Sequence, residues 1–308
     1  MITIVGAGST LAATLVPLLI EETEAPLHLI SSRPLPYQNE RIRMSVLDVT
    51  DKNALKPAIM GAHPQTIINC AAMTNVDKCE TDRQTAWAVN VTLVENLTRL
   101  ARIVDARMIQ VSTDYVFDGL KGPYAENAVP NPISYYGKSK LAGENVCLSG
   151  SSGAAIVRTN VVYGPPSERP DFVRWVIDAL ESGTPIRVVD DQHSNPTYVE
   201  DVADAISRIV QRKRSGIYHV GGADYMTRFE FAVKIAEFFK GNVSLIRPVS
   251  TADLAQTARR PMRGGLISLK AETDLRMTMR GIESGLASIR HAMMSKHSNM
   301  VGPGSGIE

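Results

Sequence analysis

The chain has 308 residues, and its 44% hydrophobic and 21% charged residues are typical of a folded globular protein, which excludes a disordered or fibrous one. Lysine and arginine together number 33 against 32 aspartate and glutamate residues, and no basic run is present that follows a phosphate backbone. A nucleic-acid partner is therefore not expected. The length predicts one large α/β domain or a domain and a half.

The cysteines, histidines and apolar runs predict the compartment and exclude a metal. Cys70, Cys79 and Cys147 lack CxxC spacing, which indicates free thiols in a reducing compartment. The six histidines include no pair at metal-ligand spacing, so no metal is expected. The sequence shows neither a basic segment leading into an apolar core nor an apolar run near ~20 residues, so export and a membrane span are not expected. Together these features predict a cytoplasmic protein.

The first elements are a strand, a glycine-containing turn and a helix. A β-branched run at 2–5 precedes Gly6 and Gly8, and leucines at helical spacing follow from Leu11. Such a turn lets backbone N–H groups at a helix N-terminus approach a phosphate closely. Ser9 and Ala12 stand where the longer dinucleotide fingerprint has glycines. The turn predicts a dinucleotide site, with a plain tight turn as the alternative interpretation.

The second and third strands add polar groups at their carboxyl ends. The strand at 27–30 ends in Ser31-Ser32-Arg33, where an enzyme that uses NAD carries an acidic residue for the ribose 2′-hydroxyl. An arginine beside small hydroxyl side chains suits a 2′-phosphate instead. The pattern therefore favours NADP, and an exposed arginine in a polar loop is the alternative. Asp48 follows the next strand and could face an adenine.

The middle of the chain alternates strands with long helices. The segments 66–72 and 108–111 read as buried strands, and apolar residues at helical spacing over 83–104 predict one long amphipathic helix between them. This alternation predicts a doubly wound parallel sheet, in which ligands bind beyond the carboxyl ends of the strands. The residues placed at such ends are Gly6, Arg33, Asp48, Ala71 and Thr113.

Tyr136 and Lys140 form the spacing Tyr-x-x-x-Lys at the start of a predicted helix. Residues four apart lie on the same helix face, so the phenol and the ammonium are expected to meet. The residue four places after Tyr135 is Ser139, so Tyr135 has no such partner. A nearby cation favours the phenolate and lowers the pKa of a phenol from about 10 toward a value useful for proton transfer. The alternative is a tyrosine over a lysine on a surface helix.

The second half of the chain is richer in proline and its elements are shorter. Helices are predicted at 172–181, 199–212 and 228–239, and strands at 154–157, 186–189 and 216–220. We interpret them as a second, smaller α/β lobe interleaved with the first. Residues 1–164 are predicted to form mainly the dinucleotide-binding domain, residues 165–292 mainly a substrate-binding lobe, and residues 295–308 a disordered tail.

Several blocks of sequence resemble one protein family. They are residues 69–80, 88–91, 112–119 and 136–144, Arg158-Thr159, Val162-Tyr163-Gly164, Asp191-Gln192, Pro196-Thr197 and Arg260-Pro261. On these blocks the chain resembles the extended short-chain dehydrogenase/reductases and, within them, the dTDP-4-dehydrorhamnose reductases, over about residues 1–292. The block Ser112-Thr113-Asp114-Tyr115-Val116-Phe117-Asp118-Gly119 is the most specific, because it separates this subfamily from most relatives that act on sugar nucleotides.

The resemblance implies hydride transfer from NAD(P)H to the C4 ketone of a nucleotide-linked 4-keto-6-deoxysugar, with NADP(H) preferred and NAD(H) as the alternative. It implies that Tyr136 gives a proton to the forming alkoxide, that Lys140 binds the nicotinamide ribose, and that Thr113 hydrogen-bonds the carbonyl oxygen. Asp114 and Tyr115 fall where the family approaches its substrate. The positions implied for the dinucleotide are Gly6, Gly8, Ser9, Thr10, Leu11, Ser32, Arg33, Asp48, Val49, Ala71, Ala72, Thr74, Tyr136 and Lys140.

Departures from the family pattern keep alternatives open. Tyr115 stands where the sugar-nucleotide dehydratases have glutamate, so elimination of water is disfavoured. Val161 stands where the reductases usually have tryptophan, which leaves open a reductase or epimerase with another carbonyl substrate. The altered glycine turn leaves open a binding protein that resembles the regulatory β-subunit of methionine adenosyltransferase. The resemblance also implies a homodimer, because family members are often dimers.

Overall fold

The computed structural model describes residues 1–165 and 171–300. The strands are β1 (Ile2–Val5), β2 (Leu27–Ser31), β3 (Ile42–Val46), β4 (Thr66–Asn69), β5 (Arg107–Thr113), β6 (Ala155–Thr159), β7 (Val162–Tyr163), β8 (Ile186–Val189), β9 (His193–Ser194), β10 (Thr197–Tyr198), β11 (Gly216–Val220), β12 (Met226–Thr227) and β13 (Ile246–Val249). The helices are α1 (Thr10–Glu22), α2 (Lys52–Ala62), α3 (Val76–Thr81), α4 (Arg83–Trp87), α5 (Leu93–Ile103), α6 (Tyr135–Gly150), α7 (Phe172–Glu181), α8 (Val199–Gln211), α9 (Arg228–Phe238), α10 (Leu269–Leu275) and α11 (Ile282–Met300).

A seven-stranded sheet forms the centre of the protein, in the order β3, β2, β1, β4, β5, β6, β11. All neighbouring strands in it are parallel. The strands β1, β2, β4 and β6 are buried along their whole length, as expected for short apolar runs covered by helices on both faces. The predicted doubly wound parallel sheet is confirmed.

The strand order reverses between β1 and β4, and this reversal positions the candidate site. From β1 the chain moves outward through β2 to β3, and then returns to β4 on the other side of β1. At such a switch point the connections leave in opposite directions and open a crevice beyond the carboxyl ends of the strands. The glycine turn at Gly6 and the residues after Asn69 lie at this crevice.

A second hydrophobic core belongs to a smaller α/β lobe. In it α7, α9 and α11 pack around the parallel pair of β8 and β13, through side chains that include Val176, Phe231 and Leu286. The intervening α8, β11 and α10 pack instead against the core of the main sheet, with Val202, Tyr218 and others. The lobe is therefore interleaved with the main domain, while the division at residue 164 stays a prediction.

Some predicted elements need correction. The predicted helix at 172–181 and the predicted strands at 186–189 and 216–220 are confirmed, with the same bounds, as α7, β8 and β11. The segment 83–104 is not one regular helix, because a π turn at Ala88–Thr92 separates α4 from α5. At the end of the chain α11 continues to Met300, into the segment predicted as a disordered tail, and residues 301–308 lie outside the described residues.

Candidate active site

The glycine turn after β1 brings two strand ends very close together. Gly6 has φ +76°, and a Cβ atom on it would lie 2.6 Å from the backbone nitrogen of Ala71, closer than side chains tolerate. At Gly8 a Cβ atom would lie 3.3 Å from the Ser31 hydroxyl oxygen. Ser9 caps α1, because its Oγ accepts a 3.2 Å hydrogen bond from the backbone N–H of Ala12. The serine that departs from the glycine fingerprint therefore has a local structural role.

A cavity of about 220 Å³ opens directly at this turn. Arg33 is exposed at its edge, and the Arg33 Nε atom lies 3.9 Å from the position that a Cβ atom on Gly8 would take. The guanidinium therefore stands beside the turn that the fold offers to phosphates. The lining residues are Gly6, Gly8, Ser9, Ser31, Ser32, Arg33, Val49, Cys70, Ala71, Ala72 and Val89.

Asp48 does not line this cavity, although the next residue, Val49, does. The Asp48 carboxylate accepts hydrogen bonds from the backbone N–H of Thr50 at 2.9 Å and from the Thr50 hydroxyl at 2.7 Å. These hydrogen bonds lower the pKa of Asp48. The carboxylate is exposed, and its contact with an adenine stays a prediction.

A second cavity of about 370 Å³ continues the first along the edge of the sheet. The two share Ser9, Cys70 and Ala72, so together they form one groove across the carboxyl ends of the strands. This groove is called the cofactor groove below. The predicted residues that line its second half are Ser9, Thr10, Leu11, Ala72, Thr74, Thr113, Tyr136 and Lys140.

Tyr136 enters the cofactor groove from the first turn of α6. The helix begins after Ser134, whose Oγ accepts a 3.2 Å hydrogen bond from the backbone N–H of Gly137. Glu80 of α3 supplies a second cap, because its Oε1 accepts a 2.7 Å hydrogen bond from the backbone N–H of Tyr135. These two caps set the start of the helix, and with it the place of the Tyr136 phenol.

The predicted lowering of the Tyr136 pKa is wrong for this structure. Burial raises the pKa of Tyr136 above its ordinary value, and the nearby Thr113 hydroxyl only partly offsets this effect. The Lys140 ammonium is held elsewhere, since its Nζ donates a 2.7 Å hydrogen bond to the carbonyl oxygen of Val111. Burial lowers the pKa of Lys140 to about 8. The phenol is therefore protonated at neutral pH, which is the state that a proton donor requires.

The π turn at Ala88–Thr92, which the sequence analysis did not predict, supports the start of α6. It carries Asn90, whose Oδ1 accepts a 2.9 Å hydrogen bond from the backbone N–H of Met73 and whose Nδ2 lies 3.0 Å from the Ser139 hydroxyl oxygen. The Ser139 hydroxyl donates in turn to the carbonyl oxygen of Tyr136 at 2.8 Å. The asparagine thereby ties the loop before α3 to the turn that bears Tyr136.

Thr113 and Asp114 lie where β5 ends. The strand extends two residues beyond the predicted 108–111 run, so Thr113 is its last residue. The Thr113 hydroxyl lies 3.3 Å from Asp114 Oδ1 and accepts from the backbone N–H of Tyr115 at 3.2 Å. Asp114 is buried, and its Oδ2 accepts from Asn160 Nδ2 at 3.2 Å and from the Gly265 N–H at 3.1 Å. Asp114 therefore links the end of β5 to the segments that carry Asn160 and Gly265.

A further cavity of about 310 Å³ lies beside Tyr136, between the main domain and the smaller lobe. Tyr115 lines it, and the Tyr115 ring packs edge-on against that of Tyr136 with centroids 5.6 Å apart. Three arginines and several aromatic residues line it, so we call it the arginine cavity. Its lining is Val76, Tyr115, Phe172, Trp175, Arg187, Val188, Val189, Gln192, Arg228, Leu254, Gln256 and Arg260.

The side chains that line the arginine cavity are suited to bind an anion and an aromatic ring. Arg228 lies over the Phe172 ring, with its guanidinium carbon 5.3 Å from the ring centroid, and burial lowers the pKa of Arg228. Arginine forks hydrogen-bond phosphate oxygens in pairs, and aromatic faces stack on bases. Of the predicted substrate residues, Tyr115 lines this cavity and Thr113 the cofactor groove, whereas Asp114 is buried between them.

Val161 lies in the wall of the cofactor groove with a strained backbone. Its φ is +42°, in the left-handed region that β-branched residues rarely adopt. The carbonyl oxygen of Val161 accepts a 3.2 Å hydrogen bond from the backbone N–H of Thr197 in the adjoining segment. Val161, which departs from the family pattern, therefore has an unfavourable backbone conformation next to the groove.

The family model of the RmlD substrate-binding domain matches residues 1–294. The chain belongs to this family. The predicted resemblance to the dTDP-4-dehydrorhamnose reductases is confirmed, and with it the enzyme class, an NAD(P)-dependent oxidoreductase of the extended short-chain dehydrogenase/reductase type.

Two curated relatives and one solved structure illustrate the range of the family. Methionine adenosyltransferase 2 subunit beta of Xenopus laevis is 36% identical over 230 residues, which is 72% of this chain and 69% of that protein. The dTDP-4-dehydrorhamnose reductase of Aggregatibacter actinomycetemcomitans is 31% identical over 299 residues, which is 93% of this chain and 97% of that protein. The dTDP-4-dehydrorhamnose reductase of Bacillus anthracis, solved in complex with NADP, matches with a TM-score of 0.81 at 30% identity and covers 94% of this chain and 98% of its own.

These RmlD-family relatives agree with the predicted cofactor class, since the Bacillus anthracis structure was solved with NADP. Of the residues that line the arginine cavity, the sequence analysis named Tyr115 as a substrate residue and included Gln192 and Arg260 in the blocks of the resemblance, but it did not find Arg187 or Arg228. These two arginines stand singly, with no motif around them. None of the helices in the described ranges is long and apolar enough to cross a membrane, and no cluster of three metal-ligand side chains occurs in those ranges.

Proposed function

We propose that the protein is an NADPH-dependent reductase of the C4 ketone of a nucleotide-linked 4-keto-6-deoxysugar. The observation that carries the proposal is that Thr113, Tyr136 and Lys140 line one groove that continues to the glycine turn at Gly6. This arrangement puts a hydroxyl, a phenol and an ammonium at one end of a groove that can hold a dinucleotide. The fit to the dinucleotide rests on the close backbone approach at Gly6 and on the Arg33 guanidinium beside Gly8.

In the proposed reaction the nicotinamide supplies a hydride, and residues of this chain manage the proton and the charge. Tyr136 donates its phenolic proton to the oxygen of the ketone as negative charge develops there. Thr113 is the second donor to that oxygen and exchanges its contact with Asp114 Oδ1 for one with substrate. Lys140 would hold the ribose next to the nicotinamide, and its charge would stabilise the phenolate left on Tyr136. The interaction of Lys140 with the Val111 carbonyl keeps the ammonium at the floor of the groove.

The arginine cavity supports a nucleotide-linked substrate. It begins at Tyr115, whose ring touches that of Tyr136, and extends to the guanidinium groups of Arg187, Arg228 and Arg260. A sugar whose C4 faces Tyr136 would place an attached diphosphate toward these guanidinium groups. Trp175, which is 41% exposed at the wall, offers a ring face for a base.

An assay with dTDP-4-keto-6-deoxyhexose and NADPH tests the proposal directly. We expect oxidation of NADPH in proportion to the amount of ketosugar, followed as loss of the absorbance of the reduced nicotinamide. The same assay with UDP-4-keto-6-deoxyhexose determines the nucleotide. Absence of cofactor oxidation with either substrate at high enzyme concentration would rule out this substrate class. A homodimer and a cytoplasmic location, both expected from the sequence, stay predictions that light scattering and cell fractionation test.

A second candidate function is regulation of a methionine adenosyltransferase. It is favoured by the 36% identity to methionine adenosyltransferase 2 subunit beta of Xenopus laevis over 72% of this chain. A protein of this kind needs the groove for binding and not for turnover. Stoichiometric co-purification of a synthetase from the source cells, with unchanged regulation by the Tyr136→Phe variant, would favour this function over reduction.

A further inference from the structure

An ion pair joins the main domain to the smaller lobe at the edge of the arginine cavity. Asp77 lies in the first turn of α3, and its Oδ2 accepts a 2.6 Å hydrogen bond from Arg260 Nη2. The other carboxylate oxygen, Oδ1, accepts a 2.8 Å hydrogen bond from the backbone N–H of Ala258. One carboxylate therefore holds both the guanidinium of Arg260 and the backbone that leads to it.

Arg260 needs a partner of opposite charge because it shares the cavity with Arg228. The two guanidinium groups repel each other, and the charge of Arg260 contributes to the lowered pKa of Arg228. The Arg260 side chain is only 9% exposed, whereas that of Asp77 is 41% exposed. A largely buried cation beside a like charge is unfavourable unless a carboxylate compensates it. Asp77 provides this compensation from outside the cavity and leaves its interior free for an anion.

Residues 251–260 form a strap over the cavity that is fastened at both ends. At its start the Thr251 backbone N–H and hydroxyl donate to Asp191 at 2.8 and 2.6 Å, within the smaller lobe. At its end Asp77 of the main domain binds Ala258 and Arg260. Between these points Leu254 and Gln256 line the cavity. The end of the strap is therefore held by a residue of the main domain.

The short helix α3 also contacts the catalytic helix. Glu80, one turn after Asp77, accepts the 2.7 Å hydrogen bond from the backbone N–H of Tyr135 that helps to start α6. One six-residue helix thus touches the strap at one end and the helix of Tyr136 at the other. The helix α3 is therefore in contact with both the strap and the start of α6.

We propose that Asp77 is a positioning residue, which holds Arg260 and the strap so that the guanidinium meets the diphosphate of a nucleotide-linked substrate. This inference rests on the proposed function. It assigns to Asp77 an effect on substrate affinity rather than on the chemical step. It also predicts that Asp77 acts only through Arg260 and the strap.

The test compares Asp77→Asn with wild type in the reductase assay. Asparagine keeps the shape and an acceptor oxygen but removes the charge, so we expect KM for the sugar nucleotide to rise about tenfold. We expect kcat and the KM for NADPH to stay within about twofold, because Tyr136, Lys140 and the cofactor groove keep their contacts. The matched control is Asp204→Asn, which removes the charge from a 2.6 Å ion pair with Arg208 on α8, away from both cavities, and leaves every constant unchanged.

A double-mutant cycle tests whether Asp77 acts through Arg260. We expect Asp77→Asn to add little to the rise in KM caused by Arg260→Gln, because the two residues act as one unit. Additive effects on KM would overturn the positioning role. So would a fall in kcat or in affinity for NADPH with no change in the sugar-nucleotide KM, since that pattern indicates general damage to the fold.

Binding of dTDP, measured by calorimetry, separates this inference from the proposed function. If wild type binds dTDP without reducing the ketosugar, the reductase proposal fails, and an approximately tenfold weaker binding by Asp77→Asn still supports the positioning role. If wild type reduces the ketosugar and both proteins bind dTDP equally, the reductase stands and the positioning role is wrong. No binding of dTDP by wild type overturns the positioning role as well.

Discussion

The Nζ atom of Lys140 donates a 2.7 Å hydrogen bond to the backbone carbonyl oxygen of Val111, so this lysine fastens α6 to the central sheet. Val111 belongs to β5, the strand that ends in Thr113. One hydrogen bond thus relates the ammonium on α6 to the hydroxyl at the strand end. Because the side chain is buried, its charge depends on pH within an accessible range.

The reductase activity is predicted to fall as the pH rises through about 8. Burial lowers the pKa of Lys140 to about 8, so the folded enzyme carries the ammonium below this pH and loses it above, where an exposed lysine is still charged. The pH dependence of kcat/KM for NADPH reports groups of the free enzyme and is the measurement. Lys138→Met, which alters an exposed lysine on the same helix, should keep this profile. Constant kcat/KM up to about pH 10 would contradict the assignment.

Tyr136→Phe is expected to lower kcat by at least about 100-fold while NADPH still binds, because only the proton donor is removed. The ring remains, and with it the edge-on packing against Tyr115. Turnover and fluorescence titration with NADPH measure the two effects. Tyr135→Phe is the matched control, since Tyr135 lies under Arg83 and outside the groove lining, and it should keep its activity. An active Tyr136→Phe enzyme would disprove the proton-donor role.

Arg33→Ala is expected to weaken NADPH binding by about 10- to 100-fold, the usual effect of losing hydrogen bonds to a charged group. NADH lacks the 2′-phosphate, so its affinity should change by less than about threefold. Dissociation constants for both cofactors, measured on the same preparation, give the comparison. Arg43→Ala removes an exposed arginine of β3 away from the groove and serves as the control. Equal weakening of both cofactors would remove the argument for NADP.

Glu144→Gln is expected to lower the free energy of unfolding by about 3–5 kcal/mol, because it leaves the Arg158 guanidinium buried without its counter-charge. Glu144 Oε2 and Arg158 Nη2 are 2.7 Å apart, and the side chains are 1% and 2% exposed. Urea denaturation measures the loss. Asp204→Asn, which breaks a partly exposed pair, should cost about 1 kcal/mol or less. A similar loss of unfolding free energy in both variants would show that burial does not determine how much each ion pair contributes to stability.

The sequence predicted the cofactor groove well, for a topological reason. Gly6, Arg33 and Ala71 follow strands and Thr113 ends one, and parallel strands bring their carboxyl ends to one edge of the sheet. Tyr136 could be added because helical spacing relates it to Lys140. Both inferences need only the local spacing of residues and the rule that parallel strands end at the same edge of a sheet.

The arginine cavity could not be predicted in this way. Arg187 lies on β8 and Arg228 begins α9, whereas Arg260 lies in neither a helix nor a strand, and no local pattern relates the three. Their meeting depends on how the smaller lobe packs on the main domain. The ion pair of Asp77 with Arg260 spans 183 positions in the chain and has the same origin.

By itself, the sequence determined which residues stand at the strand ends and which share a helix face, because both follow from local periodicity and from the pairing of parallel strands. Only the tertiary structure decided the electrostatics of the site. Burial raises the pKa of Tyr136 and lowers that of Lys140, against the expectation from their spacing alone. The loss of water around a group depends on everything packed against it, and that is a property of the whole fold.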